Sequence, residues 1–177
     1  MPTSTQKYHR ASIVLHWLML LVIAAVYACI ELRELYPKGS DPRELLKHWH
    51  FMLGLSVGLL VLFRLYFRLR HPAPPIHPSL PRWQERLAKS MHILLYLLML
   101  GMPLAGWMIL SAEGKPIPFF GLELPALIPA NETLAEQIEE VHETIGSAGY
   151  VLIALHALAG LAHHYVFKDN TLKRMLP

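Results

Sequence analysis

HETIGSAGYVLIALH, residues 142–156, has a histidine at each end and no charged residue between Glu143 and His156. Fourteen residues of α-helix turn through about 1400°, within about 40° of a whole number of turns, and rise about 21 Å. Both imidazoles therefore lie on one face of one helix, at two depths. One helical turn on, His142 is followed by Gly146 and His156 by Gly160. His50 and Gly54 repeat the pattern, and none of the other eight histidines shares it. Residues i and i+4 lie on the same face, so each of these histidines stands beside bare backbone on which a flat, bulky group can rest. Haem is the expected group, because an imidazole can bind its iron axially.

The surroundings are those of a membrane. The chain has 177 residues, 54% of them hydrophobic and 16% charged, with a mean hydropathy of +0.34. That is too apolar for an ordinary soluble domain. Four stretches reach the roughly 20 apolar residues that a bilayer span needs, at about 11–32, 49–69, 91–111 and 146–167. The expected architecture is an all-α membrane protein, a bundle of four transmembrane helices enclosing two b-type haems in one domain, residues 1–177. The first stretch is long for a signal peptide and has no small-residue cleavage pattern after it, so we expect a retained helix. The one cysteine, Cys29, permits neither an internal disulfide nor a Cys-x-x-Cys-His haem attachment. A haem here would be held without covalent bonds.

Charge sets the expected orientation. With both termini in the cytoplasm, the inside segments hold eleven Lys and Arg and the outside segments five; eleven of the thirteen carboxylates fall outside. The positive-inside rule favours this arrangement. The basic pI follows from that asymmetry and does not suggest nucleic acid. The proline-rich stretch 71–81 cannot be helical and reads as a stiff inner loop. Pro103 should kink the third helix. Residues 113–129 form a Pro- and Gly-rich outer loop, and Asn131 is placed to cap the lead-in to the last helix.

Depth pairs the histidines. The first helix runs outward, so His16 lies in its inner half, level with His156 on the inward-running fourth helix. The second helix starts outside, so His50 lies level with His142. Two bis-histidine sites follow, His16/His156 and His50/His142. Iron with both axial positions filled passes electrons and has no open position for oxygen activation. His16 lacks the glycine, having Leu20 one turn later. His48 points nearly opposite His50 and reads as interfacial. His92 reads as a neighbour of a haem propionate or of a quinone, and His163-His164 as an interfacial polar pair. His9, His71 and His77 read as surface residues.

With these four histidines placed, the chain resembles the bacterial cytochrome b561 family, di-haem four-helix membrane cytochromes. The matching stretches are SIVLHW (12–17), HFMLGLS (50–56), RLRHPAPP (68–75), HETIGSAGYVLIALH and LAHHYVFKDNTLKRMLP (161–177). The resemblance puts the axial ligands on His16, His50, His142 and His156. It is strongest to the stand-alone members that act as superoxide:ubiquinone oxidoreductases, and so implies an oxidoreductase of the bacterial inner membrane taking electrons from periplasmic superoxide and delivering them to ubiquinone. Superoxide is an anion, and the outer segments are mostly acidic, so steering it needs a local cationic patch. Arg43 and Lys47 are the expected pair beside the outer haem.

Two other functions compete. One is a relay subunit passing electrons between quinol and a periplasmic redox protein, with no small-molecule oxidase activity of its own. The other is a metal transporter using histidines as ion ligands. The wide separation of His142 from His156 counts against the transporter.

Overall fold

The computed structural model describes residues 6–177. Four helices dominate it: α1 (Arg10–Leu32), α2 (Asp41–Arg70), α3 (Arg82–Ala112) and α4 (Glu132–Tyr165). Each contains a stretch long and apolar enough to cross a membrane. In lipid only such a helix satisfies its own backbone polar groups without water. The helices alternate in direction, so the described chain begins and ends at one end of the bundle. We call this the terminus end, and the other the hairpin end.

The helices outrun their apolar cores. α2 begins at Asp41, eight residues before the apolar stretch expected from sequence, with Pro42 in its first turn. Proline is tolerated there because its missing N–H would have no helical partner. α4 joins the acidic lead-in and the apolar stretch into 34 continuous residues. Asn131 caps it, its side chain accepting from the Leu134 N–H at 3.0 Å. α3 continues through Pro103.

The hairpin end contains the one departure from an all-helical chain among the described residues. β1 (Ile117–Phe119) and β2 (Leu122–Leu124) pair antiparallel, Ile117 facing Leu124. The two turn residues, Phe120 and Gly121, have φ of 48° and 85°. Two positive φ values mark the primed turn that matches strand twist. Phenylalanine at the first of them hides the turn from a sequence reading, which made this segment a loop. Ile117 is buried. Ser111 and Trp107 of α3 bind the following segment, Ser111 Oγ accepting from Leu127 N–H and Trp107 Nε1 donating to Pro125 O.

Packing runs in sequence order: α1 on α2, α2 on α3, α3 on α4. Met19, Val57 and Val61 form the buried centre, with Val22, Tyr96 and Met99 against it. Gly58 lets α2 approach α3 closely: a Cβ there would stand 3.1 Å from that of Pro103. Large apolar side chains such as Leu21, Leu62, Leu97 and Val151 point outward, as a lipid-facing surface requires.

At the terminus end the last residues fold back as a cap. Trp17 Nε1 donates to Met175 O at 2.8 Å, and Tyr8 N–H to Arg174 O at 3.0 Å. The buried Arg174 guanidinium donates to Pro74 O, and Asn170 Oδ1 accepts from His77 N–H at 2.8 Å. The cap thus ties the α2–α3 loop and the segment before α1 to the last residues of the chain. His163 is more than the interfacial residue expected from sequence. Its Nδ1 donates to Asp169 Oδ2 at 2.5 Å, and Asp169 is buried. Burial pushes the Asp169 carboxyl up, but hydrogen bonds from Thr171 and His163 outweigh it and hold it below the ordinary value of 3.8.

A depressed folded-state pKa contributes stability that is present above the unfolded value and lost as pH falls through the folded one. The docked tail should therefore hold from neutrality down to the ordinary carboxylate range and loosen only below it. Asp169→Asn should loosen it already at neutral pH. Amide hydrogen exchange over residues 166–175 measures both; equal protection in the variant and the parent would show that the Asp169 carboxylate does not hold the cap.

Candidate functional site

Two pairs of histidines face each other across the bundle, one toward each end. The ring centres of His50 (α2) and His142 (α4) are 6.3 Å apart. Those of His16 (α1) and His156 (α4) are also 6.3 Å apart. An imidazole nitrogen binds a transition metal at about 2.0–2.1 Å, and the ring centre lies about 1.1 Å behind it, so two imidazoles on opposite sides of one ion have centres about 6.2–6.4 Å apart. Both pairs have the separation that a six-coordinate iron needs. Among the described residues no three His, Cys, Asp or Glu side chains are grouped to hold a bare metal ion, which the transporter reading would require.

The space around the first pair fits a flat group. A cavity of about 430 Å³ opens between the helices at the hairpin end, walled by His50, His142, Gly54, Met102 and Tyr27 among others. A side chain at Gly54 or Gly160 would meet nothing within 4 Å, so the bare backbone patches beside His50 and His156 face open space. Gly146 differs: a Cβ there would touch Met102. Gly106 of α3, which carried no signal beyond flanking Pro103, also walls the cavity. A Cβ at Gly106 would lie 3.6 Å from Cε1 of His142.

The protein sets one ring's protonation. His50 Nδ1 lies 3.1 Å from the Val26 carbonyl. A carbonyl only accepts, so Nδ1 carries the proton and Nε2 presents its lone pair. Such a hydrogen bond behind a metal-binding imidazole fixes the tautomer and raises the ligand's basicity. His142 has no equivalent: its Nδ1 is buried without a partner.

His92 belongs to the second cluster. Its ring centre is 5.4 Å from that of His156, too close for an iron to sit between the two rings. It therefore stands beside the His16/His156 pair. Trp17, next to His16, is fixed by the cap through Met175, which supplies an anchor that the absent glycine after His16 does not reveal. His48 is exposed, and it walls a smaller hollow with Lys47, Phe51 and Lys115.

The cationic residues redistribute. Arg43 does not wall the cavity. It is buried, and its guanidinium donates to Arg33 O and Tyr36 O, both at 3.0 Å, and to Glu34 at 2.8 Å. Arg43 holds the turn from α1 to α2. Its place beside the histidine pair, expected from sequence, is corrected on that ground. The cations at the cavity wall are Arg33, Lys47 and Lys115, among five carboxylates, Glu31, Glu34, Glu113, Glu139 and Glu143. Each cation is already paired: Arg33 with Glu34 at 2.9 Å, Lys47 with Glu44 at 3.3 Å and Lys115 with Glu113 at 2.9 Å.

Known proteins match nearly the whole chain. The family described as prokaryotic cytochrome b561 matches residues 7–177. "Cytochrome b561 homolog 1" of Escherichia coli (strain K12) is 40% identical over 171 residues, covering 97% of each chain. "Probable superoxide oxidase CybB" of Yersinia pestis is 39% identical over 172 residues, again 97% of each chain. "Cytochrome b562" of Cereibacter sphaeroides is 28% identical over 180 residues, 98% of each. With four helices able to span a membrane and a match over nearly its whole length, the chain belongs to the prokaryotic cytochrome b561 family of membrane b-type cytochromes.

Proposed function

We propose that this protein carries electrons across the inner membrane between two haems, one held by His50 and His142 and the other by His16 and His156, oxidising superoxide at the hairpin end and reducing ubiquinone at the terminus end. The observation that carries the reading is the equal 6.3 Å separation of the two pairs. The hairpin end would face the periplasm and both termini the cytoplasm, as the excess of lysine and arginine at the terminus end favours. Two bound haems would supply a pair of one-electron carriers closed to direct oxygen binding. The resemblance of the whole chain to a probable superoxide oxidase supports the choice of donor.

The protein's own groups divide the remaining work. Two superoxide ions give up two electrons and leave as two molecules of oxygen, and one quinone takes the two electrons with two protons. The protons must enter at the terminus end, where His92 stands beside the His16/His156 pair and His163 and His164 lie further along α4, in its last turn. At the hairpin end Lys47 and Lys115 would draw the anion inward, since both wall the main cavity and the hollow beside it. Five carboxylates at the same wall oppose them. That acidic rim is the observation favouring the second reading, a relay that takes electrons from, or gives them to, a basic periplasmic protein.

Purified protein in detergent, given enzymatically generated superoxide and ubiquinone, should form quinol with dismutase-sensitive reduction of the b-type α-band. Haem that superoxide leaves oxidised would overturn the oxidase reading and favour the relay. Lys47→Gln with Lys115→Gln should slow reduction several-fold at low salt, with the difference closing at high salt as screening shortens the field. Arg43→Gln should leave that salt dependence unchanged and lower the melting temperature instead. Gly54→Leu should reduce haem per chain, because its side chain would occupy open space beside His50. A full haem complement in this variant would show that the group lies elsewhere.

A further inference from the structure

α1 and α4 are the helices at the two ends of the packing order. Neighbours along the chain pack closely, but α1 and α4 face each other mainly through side chains. Near the hairpin end those side chains are few and specific. The Tyr27 hydroxyl donates to the Gly146 carbonyl of α4 at 2.8 Å. It fits against Gly149, where any Cβ would collide with it. Tyr150 of α4 lies on the Tyr27 ring, centres 4.2 Å apart, and donates its own hydroxyl to Glu31 at 2.6 Å.

The position of Tyr27 along α1 matters as much as its bond. The residue before it, Val26, offers the carbonyl that holds His50 Nδ1. One turn of α1 therefore grips α2 through Val26 and α4 through Tyr27. The two histidines depend on this turn differently. His50 is oriented directly, by a bond to its ring. His142 has a buried Nδ1 with no partner, so its direction is set by where α4 stands. Gly146, which Tyr27 grips, is one helical turn from His142 on the same face.

We propose that Tyr27 is a positioning residue for the His50/His142 pair, its hydroxyl on Gly146 setting the distance and rotation of α4 and so the plane of the His142 ring relative to that of His50. The proposal rests on the reading of this pair as axial ligands of a haem. It treats Gly149 as the complement of Tyr27, a position kept bare so that the hydroxyl can reach the α4 backbone. Tyr150, itself on α4, supports the ring of Tyr27 and makes a second bond to α1 through Glu31, but that bond joins two exposed side chains, whereas the part-buried Tyr27 hydroxyl grips the α4 backbone itself.

The test compares the purified haem-loaded parent with Tyr27→Phe and Tyr150→Phe. The readouts are haem per chain, low-temperature electron paramagnetic resonance and redox titration. The parent should show two low-spin signals. In Tyr27→Phe one signal should move in its largest g value and in midpoint potential, with haem content kept. That signal should be the one missing in His142→Ala, and the other should stay. Tyr150→Phe, which loses only a bond between exposed side chains and keeps the ring on Tyr27, should move that signal less than Tyr27→Phe does. If Tyr27→Phe fails to accumulate, Gly149→Ala, which crowds the hydroxyl off the backbone, carries the same readout. Two unmoved signals in Tyr27→Phe, or two that move equally, would overturn the proposal. A parent without two low-spin haems would instead overturn the ligand reading on which it rests.

Discussion

Two imidazoles from different helices must be held apart, facing one another, across a space the protein does not fill. Left to ordinary packing, apolar side chains would close that gap, because interiors pack as densely as organic crystals. The bundle prevents closure in two ways. It keeps the faces beside His50 and His156 bare, at Gly54 and Gly160. It also packs the helices in sequence order, so that α1 and α4 meet across the gap through a few hydrogen bonds and ring contacts instead of a broad interface. The buried centre of Met19, Val57 and Val61 lies among α1, α2 and α3, and α4 is carried by α3.

The two ends of the molecule are finished differently, and each finish serves its histidines. At the hairpin end Arg43 binds the turn between α1 and α2, which fixes the start of the helix bearing His50. The cavity there is open and its wall is charged. At the terminus end the tail folds back over the α2–α3 loop, and Trp17 is held beside His16 by a backbone carbonyl of the tail. The cap contains the His163–Asp169 pair and the buried Arg174, so the side nearest His92 and His156 is closed by polar groups. The proposed carrier, taking electrons at one face and giving them up with protons at the other, would be served by that contrast.

The sequence made the four histidines legible because their placement needs only the number and direction of the helices. Depth alone pairs His16 with His156 and His50 with His142, and periodicity alone puts His142 and His156 on one face. What it did not reveal depends on rotation and on contacts between helices. Nothing periodic marks Val26 as the acceptor for His50 or Tyr27 as a donor to α4. Arg43 was read by its charge as a steering residue, yet the chain reversal beside it supplies two carbonyls that claim its guanidinium. Phe120 disguised a hairpin turn that Gly at that position would have announced. His163 looked interfacial because its partner, Asp169, lies beyond the end of the helix, where the tail's return cannot be read from composition.

The central claim is that one chain of four helices holds two haems, each between two histidines. The most direct measurement is the haem content of the purified protein, by pyridine haemochrome against amino-acid analysis, read with its electron paramagnetic resonance spectrum. The account predicts two b-type haems per chain, both low-spin and both with two imidazole ligands. One haem per chain, or a high-spin signal in the intact protein, would contradict it.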